Sequence, residues 1–304
     1  MPRLSRILIS ACFCLAVITP ALEIEAQTKA TQDQKVFTIG LIPERNIFKQ
    51  IERYEPLAGY LSKKIGQNIT LKVLTRYGNI IDNFVSLHLD AAFFGSFTYA
   101  LAHSKIGVEP IARPVNMDGS STYYGLIFVR KDSGIKSIKD MQGKRFAFVD
   151  SATTAGYLLP LAYFKKHGVE DYKTFFKETY FTGTHQHAIY DVLNKKAEIG
   201  AAKNTIFYSL AAKDRRLLDE LVLLARSPDV PENGLAVRKD IDNAIKLKLK
   251  QALINMHADP EGIDVLRKFG AKKFIETSDD DYSGVYQYVR EIGLNLSTYD
   301  YMNE

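Results

Sequence analysis

Short apolar runs alternate with segments of helical periodicity along the first half of the chain, and this alternation restricts the possible folds more than any other feature. The apolar runs, which predict strands, cover residues 36–42, 69–74, 89–95 and 108–112. Apolar residues at helical spacing lie between them. Strands that alternate with helices form a largely parallel sheet covered by helices. We therefore expect an α/β fold, with any ligand bound outside the carboxyl ends of the strands.

A second set of strand and helix patterns follows a polar turn at residues 118–121. The strand patterns of this set cover residues 122–130, 146–149, 175–182 and 197–202. Two further strand patterns follow at residues 221–226 and 234–238. Only helical patterns follow Arg238, so we expect no strand in the tail. We interpret the chain as two lobes, residues 36–124 and 125–227, with residues 228–304 returning to the first lobe.

Pro56 lies in the middle of the first helical pattern, residues 47–65. Proline has no backbone N–H, and its ring clashes with the preceding helical turn. The residue therefore predicts a kink or a break in this helix.

Residues 1–26 carry the pattern of a secretory signal peptide. Arg3 and Arg6 form a basic start, residues 7–18 form an apolar run without charge, and a small-residue cleavage pattern follows. The apolar run is shorter than a membrane-spanning helix needs. We expect export to the periplasm, with residues 27–35 forming a flexible lead-in to the folded part.

Both cysteines of the chain, Cys12 and Cys14, lie within this signal pattern. The mature chain would therefore contain no disulfide and no reactive thiol. Residues 9–12 resemble a lipoprotein processing box, but they interrupt the apolar run after only a few residues. We therefore expect no lipid anchor at Cys12.

The overall charge is mildly basic, with a formal net charge of +5 over 304 residues. The basic residues alternate with apolar ones or lie beside them, which is typical of solvated helix faces. Nucleic-acid binding would need a basic stripe or a known module, and the sequence has neither. We expect no nucleic-acid partner.

The apolar run that ends at Val149 passes directly into a hydroxyl-rich segment, and a helical pattern follows from about Gly156. The hydroxyls of Ser151, Thr153 and Thr154 would lie at the start of this helix. A helix start presents unpaired N–H groups and the positive end of the helix dipole, which suits an anion. Serine and threonine are also common helix caps whatever the function, so the pattern alone leaves both interpretations open.

Catalytic and metal-binding motifs are absent from the sequence. His185 and His187 stand two positions apart, so they would point to different faces of a helix, and no cysteine or carboxylate set completes a metal site. There is no nucleophile elbow, no Ser-His-Asp order and no phosphate-binding glycine loop. We expect no metal, no cofactor and no enzymatic activity.

Seven stretches with a characteristic order and spacing lie between Val36 and Arg238: residues 40–43, 54–61, 89–95, 125–135, 140–148, 154–160 and 181–185. Together they resemble the periplasmic phosphate-, phosphite- and phosphonate-binding family of ABC transporters. The resemblance covers most of the mature chain. It implies a type II periplasmic-binding-protein fold, in which two α/β lobes are joined by a two-stranded hinge and hold a ligand in the cleft between them.

The resemblance also implies which residues contact the ligand. Tyr77 and His185 match ligand-facing positions of the family, and Thr98 lies near a position where the first lobe offers a hydroxyl. The segment Thr153-Thr154-Ala155 matches a Ser-Thr-Ser loop whose hydroxyls and amides hold the oxyanion. Because Ala155 lacks a hydroxyl, one side-chain donor of that loop is missing here, and the selectivity could differ.

One further position completes the predicted site, and another bears on the class of ligand. Tyr123 and Tyr124 alternate on a strand, so one of them faces the cleft or the hinge, and we favour Tyr123. Lys203-Asn204 stands where some family members carry acidic residues that hold an aminoalkyl group, which argues against an aminophosphonate ligand. The predicted ligand-binding residues are Tyr77, Thr98, Tyr123, Ser151, Thr153, Thr154 and His185.

The function implied by the resemblance is the capture of a small oxyanion or phosphonate-like solute for an ABC permease in the membrane. Two alternatives stay open on the same fold. The closed protein could signal to a membrane sensor histidine kinase, or the fold could carry an enzyme such as a pyrimidine-precursor synthase. The absence of cysteine from the mature chain argues against the enzyme.

Overall fold

The computed structural model describes residues 36–303, so the predicted signal peptide and lead-in lie outside the described residues. The strands are β1 (Phe37–Leu41), β2 (Ile69–Val73), β3 (Ala91–Phe94), β4 (Glu109–Asn116), β5 (Thr122–Tyr123), β6 (Gly125–Arg130), β7 (Arg145–Phe148), β8 (Glu178–Phe181), β9 (Ile199–Lys203), β10 (Leu221–Arg226), β11 (Val230–Pro231), β12 (Gly234–Val237) and β13 (Ala271–Glu276). The helices are α1 (Ile47–Ile65), α2 (Asn79–Ser86), α3 (Ser96–Ile106), α4 (Leu159–Lys166), α5 (Tyr172–Phe175), α6 (His185–Leu193), α7 (Asn204–Ala211), α8 (Arg216–Glu220), α9 (Asn243–Ile254), α10 (Pro260–Phe269) and α11 (Ser283–Glu291). Within residues 36–303, no helix combines the length and apolarity that crossing a bilayer requires.

The first lobe is built around a six-stranded sheet with the order β13-β4-β12-β3-β1-β2. Strands β1, β2 and β3 are parallel, as the alternation of strands and helices predicts. Strand β12 lies between β3 and β4 and runs antiparallel to both. The sheet is therefore mixed, because the chain returns to it from the second lobe.

The expectation that the tail contains no strand is wrong. Strand β13 (Ala271–Glu276) pairs antiparallel with β4 and forms the edge of the six-stranded sheet. Ala271 and Phe274 are buried, whereas Lys272 and Lys273 are exposed. This spacing does not show the period-2 alternation by which half-buried strands are recognised. A register shift between Ala271 and Lys273 explains why buried and exposed residues do not alternate in this strand.

The second lobe is built around a five-stranded sheet with the order β10-β6-β9-β7-β8. Strand β7 runs parallel to β8 and β9, and β6 runs antiparallel to β9 and β10. In this sheet β7 leads directly into the hydroxyl-rich segment. The arrangement places that segment at the carboxyl end of an inner strand.

The connection between the two sheets is a two-stranded hinge. The sequence pattern at residues 122–130 predicts one strand, but the structure divides it into β5 and β6 on either side of Tyr124. Strand β5 pairs antiparallel with β11, apart from both large sheets. The chain thus leaves the first sheet through β5 and returns through β11, which confirms the predicted two-lobe fold with a two-stranded hinge.

Helix α1 runs without interruption through Pro56 over 19 residues, so no break occurs there. The Asn46 side chain caps its start, and Gly66 ends it in the left-handed conformation. The buried side chains of Tyr54, Leu57 and Leu61 belong to the apolar core under the first sheet. Burial of this helix face outweighs the loss of one hydrogen bond at the proline.

The two lobes share one apolar cluster at their interface. This cluster joins Tyr77 and Phe97 of the first lobe to Val149, Ala155 and Ala188 of the second lobe. Separate clusters lie within each lobe. The lobes therefore pack directly against each other on this side, as in a closed form.

Candidate functional site

Two helical segments from opposite lobes begin next to each other at the interface. Helix α3 begins directly after β3 and Gly95, and a π-helical turn, Thr154–Leu158, begins shortly after β7 and leads into α4. The Phe97 N–H donates a hydrogen bond to Thr154 Oγ1 (2.8 Å). Thr98 Oγ1 donates to the carbonyl of Ala152 (2.8 Å). Both helix starts lie at carboxyl ends of strands, where the sequence predicts the ligand site.

Gly156 allows the π-helical turn to lie close to the end of β7. A Cβ atom at this position would lie 2.3 Å from Val149 Cγ2, which is a severe clash. The Gly156 carbonyl also accepts a hydrogen bond from the Val149 N–H (3.2 Å). Only glycine fits this approach without movement of the backbone. The helix thus begins two residues earlier than the sequence suggests, which brings Thr154 into its first turn.

The hydroxyls of Ser151 and Thr153 are engaged within the chain. Ser151 Oγ donates to the carbonyl of Tyr301 (2.5 Å), and Thr153 Oγ1 donates to the carbonyl of Asp150 (2.7 Å). The Ser151 N–H donates to Asn303 Oδ1 (2.9 Å). The ligand roles of these two residues stay predictions. In this closed form, Ser151 is bound to the C-terminal segment of the chain.

Asp150 is a fully buried carboxylate at the end of β7. Its Oδ1 accepts from the Ala152 N–H (2.9 Å), and its Oδ2 accepts from Asn303 Nδ2 (2.9 Å). Burial raises the pKa of Asp150, although these donors and the nearby Arg76 oppose the rise. Arg76 Nε lies 3.9 Å from Asp150 Oδ2, which is an ion pair across the lobes but too long for a hydrogen bond.

Tyr77 and Arg76 carry buried donors without partners in the described part of the chain. The Tyr77 hydroxyl has no hydrogen bond, although the residue is only 2% exposed. Arg76 Nε and Nη2 are likewise buried and lack an acceptor. Both residues precede α2, at the carboxyl end of β2. Since buried polar groups in native proteins are almost always satisfied, such donors are available to an acceptor that enters this part of the interface.

His185 is the first residue of α6 and is 3% exposed. Its ring lies edge-on to that of Tyr77, with the ring centroids 5.9 Å apart. Burial lowers the pKa of His185 to about 3, so the ring is neutral at physiological pH. The Lys203 N–H donates to His185 Nδ1 (3.3 Å), so the proton of the neutral ring is on Nε2. His185 therefore offers a hydrogen-bond donor and no charge.

Tyr123 contacts the ammonium group of Lys203, which is 4% exposed. Lys203 Nζ lies 4.3 Å from the centroid of the Tyr123 ring. It donates to Glu44 Oε1 (3.1 Å) and to Asn233 Oδ1 (3.1 Å), and it forms an ion pair with Glu232. Burial alone would lower the pKa of Lys203, but Glu232 and Glu44 raise it above its ordinary value.

A cavity of about 800 Å³ lies between the lobes and reaches this buried lysine. Its walls come from both lobes, for example Arg53 from the first and Lys213 from the second. The lining contains six cationic and three anionic side chains, a net formal charge of +3: Arg45, Lys49, Arg53, Lys203, Lys213 and Lys268 against Glu44, Glu52 and Glu232. Such a cleft attracts anions from solution.

The structure thus brings Tyr77, Thr98, Tyr123, Thr154 and His185 to one interface. The hydroxyl oxygens of Thr98 and Thr154 are hydrogen-bonded across this interface, and the hydroxyls of Ser151 and Thr153 are bonded to carbonyl groups of the chain. Sequence reasoning did not single out Arg76, Asp150, Glu44, Glu232 or Asn233. Glu44 follows the strand β1 almost directly, and this position at a carboxyl end is a signal that could have identified it. In residues 36–303, no cluster of three or more possible metal ligands occurs.

Residues 39–282 match the family described as "ABC transporter, phosphonate, periplasmic substrate-binding protein". The phosphonates-binding periplasmic protein of Escherichia coli (strain K12) is 26% identical over 255 residues, which cover 82% of this chain and 75% of that protein. The probable ABC transporter phosphite binding protein PhnD1 of Prochlorococcus marinus (strain MIT 9301) is 22% identical over 274 residues, which cover 86% of this chain and 90% of that protein.

Solved structures of similar proteins have the same fold. A binding protein component of an ABC phosphonate transporter from Pseudomonas aeruginosa superposes with a TM-score of 0.77 at 26% identity, covering 84% of this chain and 86% of that chain. PhnD1 from Prochlorococcus marinus, in complex with methylphosphonate, superposes with a TM-score of 0.75 at 22% identity, covering 85% of this chain and 98% of that chain. These findings confirm the family that the sequence resembles: the chain belongs to the periplasmic substrate-binding proteins of phosphonate ABC transporters.

Proposed function

We propose that this protein captures a small oxyanion of the phosphonate, phosphite or phosphate class in the cleft between its lobes and delivers it to a permease in the membrane. In this proposal residues 1–26 direct export to the periplasm and are then removed. Membership of the substrate-binding family supports the transport role. The names of the relatives, which refer to phosphonates and phosphite, support the ligand class.

The buried donors of Tyr77 and Arg76 are the observation that carries this proposal. Arg76 faces Asp150, and Tyr77 faces His185, so both residues of the first lobe are directed at the second lobe. A tetrahedral oxyanion offers several acceptor oxygens, and hydrogen bonds to a charged acceptor are stronger than neutral ones. One bound anion would therefore satisfy donors that are otherwise buried at a cost.

Binding would proceed by closure of the lobes over the anion. The cationic cavity attracts the anion, and the hinge of β5 and β11 lets residues 125–227 move against residues 36–124. The positive ends of α3 and of the π-helical turn would then face the anion from opposite sides. We propose that the ligand contacts are Arg76, Tyr77, Thr98, Tyr123, Ser151, Thr153, Thr154 and His185.

The segment that carries Thr154 would select among anions differently from a loop with three hydroxyls. Ala155 is 1% exposed and belongs to the apolar cluster shared by the lobes. Its N–H remains at the start of the helical segment, but it offers no side-chain donor. A ligand with one apolar substituent, such as a methyl group on phosphorus, fits this segment: its oxygens can bond the amides, and its substituent can pack against the methyl group of Ala155.

Titration calorimetry of the mature chain with methylphosphonate, phosphite and phosphate tests the function. We expect at least one of these anions to bind with a dissociation constant of about 1 μM or lower, equivalent to about −8 kcal/mol. The same anion should raise the melting temperature, because it binds only the folded state. Absence of both heat and thermal stabilisation with all three anions would contradict the proposal.

The variant Tyr77→Phe tests the site itself. Because the Tyr77 hydroxyl has no partner within the chain, its removal should leave the stability of the ligand-free protein unchanged or slightly higher. Loss of one hydrogen bond to a charged ligand should weaken binding by about 10- to 100-fold. Tyr60→Phe is the matched control, since the Tyr60 hydroxyl bonds Asp259 instead. Equal affinity in Tyr77→Phe and wild type would place the ligand elsewhere.

A further inference from the structure

The buried ammonium group of Lys203 crosses from one lobe to the other. Lys203 ends strand β9 of the second sheet, whereas Glu44 follows β1 of the first sheet. Glu232 and Asn233 lie between the hinge strand β11 and strand β12. An ammonium group has three N–H donors, and Lys203 Nζ bonds these three side chains. All of its donors are therefore satisfied.

The acceptors around this lysine form an ammonium cage, which we define as Glu44, Glu232, Asn233 and the ring of Tyr123. Interactions independent of Lys203 hold the cage together. Glu232 Oε2 accepts from Asn116 Nδ2 (3.3 Å), and Glu232 Oε1 accepts from the Asn233 N–H (2.9 Å). The cage thus belongs to the first lobe and the hinge, and the cation alone comes from the second lobe.

The charge of the cage requires a cation when the lobes close. Glu44 and Glu232 are 4% and 5% exposed, and burial alone would raise the pKa of Glu44. Lys203, together with Arg45 and Arg53, instead lowers that pKa to about 2, so Glu44 stays ionised. Two buried carboxylates without a cation would be strongly unfavourable. The Tyr123 ring face, 4.3 Å from Nζ, adds a further attraction for a cation.

We propose that Lys203 is a specificity-determining residue, a built-in cation that fills the ammonium cage on closure, so that the cleft accepts oxyanions without an ammonium group and rejects those that carry one. A ligand ammonium could enter only by displacing Lys203 into a cavity that is already lined by other cations. The oxyanion part of this proposal rests on the proposed function. The part that concerns the cage, namely its preference for one cation, is independent of the proposed function.

The first experiment uses ethylammonium ion as the probe and needs no phosphorus compound. In Lys203→Ala the cage keeps its carboxylates and gains the volume of the lost side chain, so millimolar ethylammonium should raise the melting temperature by several degrees. Wild type should show no such shift. Lys203→Met, which fills the volume without a charge, should respond little. Lys213→Ala, which removes an exposed lysine of the same cavity, should behave as wild type.

The second experiment compares two ligands of similar shape, ethylphosphonate and 2-aminoethylphosphonate, by titration calorimetry. Wild type should prefer ethylphosphonate by at least about 10-fold, which corresponds to about 1.4 kcal/mol. Lys203→Ala should lose or reverse this preference. Equal affinity of wild type for both ligands would overturn the proposal, and so would a folded Lys203→Ala variant that does not respond to ethylammonium.

The two experiments separate this inference from the proposed function. If Lys203→Ala does not fold, the ligand preference of wild type still decides whether the cleft rejects ligands that carry an ammonium group. If wild type binds neither of these two ligands nor methylphosphonate, phosphite or phosphate, but Lys203→Ala responds to ethylammonium, the oxyanion function is refuted and the cage assignment is supported. Binding of ethylphosphonate alone to wild type supports both.

Discussion

At the scale of single residues, the interface between the lobes buries several ionisable side chains. His185, Lys203 and Glu44 are nearly inaccessible to solvent, and their protonation states are set by their surroundings. His185 is held neutral by burial, whereas Lys203 and Glu44 hold each other in their charged forms. The stability of the closed form should therefore depend on pH.

Stability should fall as the pH decreases below about 6.5, because His185 binds a proton in the unfolded chain but not in the folded one. The pKa of His185 is about 3 in the folded protein and about 6.5 in an unfolded chain. Between these values the unfolded state binds more protons, so the free energy of unfolding decreases by up to about 1.4 kcal/mol for each pH unit. Glu44, with a pKa of about 2, adds to this loss only below about pH 4.5.

Urea unfolding of the ligand-free protein between pH 4.5 and 7 measures this effect. The variant His185→Gln should flatten the dependence, because it removes the buried ionisable group. His187→Gln, an exposed histidine on the same helix, should keep the slope of wild type. Identical slopes for wild type and His185→Gln would show that His185 is not the group responsible.

The site residues that could be predicted from the sequence differ from the others in how far apart along the chain their contact partners lie. Tyr77 and His185 could be placed by resemblance, and Thr154 by its position after a strand. The pair of Lys203 and Glu44 joins residues 159 positions apart, and no local pattern reports such a contact. The resemblance implied only that Lys203 stands where some family members carry acidic residues, whereas its cage appears only when both lobes and the hinge are assembled.

At the scale of elements, the C-terminal segment, residues 295–303, connects the hydroxyl-rich segment to the first lobe. The Tyr299 hydroxyl donates to the Ser151 carbonyl (2.9 Å), and the Tyr301 hydroxyl donates to Asp82 Oδ1 (2.9 Å). Asn303 bonds both the Ser151 N–H and Asp150 Oδ2. This segment therefore restrains the part of the second lobe that is proposed to hold the anion.

The variant Asn303→Ala should lower the free energy of unfolding by about 1–3 kcal/mol, because it leaves a buried carboxylate and a buried N–H without one partner each. Chemical denaturation of the ligand-free protein measures the loss. Asn194→Ala, at an exposed helix end, is the control and should change stability by no more than about 0.5 kcal/mol. Equal stability of the two variants would mean that the C-terminal segment does not anchor Asp150.

Elements with regular periodicity were predicted well, and those shaped by tertiary packing were not. The core strands and most helices follow the expected alternation of patterns. Strand β13 was missed because exposed Lys272-Lys273 and a register shift hide its alternation. A break at Pro56 was one of the two predicted outcomes, and it does not occur. Pro56 opposes a helix locally, but the packing of the buried face of α1 keeps the helix continuous.

At the scale of the whole molecule, the two lobes meet through an apolar cluster, an ion pair across the cleft and paired helix starts. All three must separate if an anion is to reach the donors of Tyr77 and Arg76. The hinge of β5 and β11 is the place where this opening can occur with little change inside either sheet. We therefore expect the protein to bind its ligand by closing around it.

A crystal structure of the mature chain with the tightest-binding anion of the panel would show directly where the ligand binds. We predict that the anion lies between the start of α3 and the segment Asp150–Thr154, with an oxygen within hydrogen-bond distance of the Tyr77 hydroxyl. An anion bound instead in the separate cavity lined by Lys165, Lys166 and Arg226, with the Tyr77 hydroxyl still without a partner, would contradict this prediction.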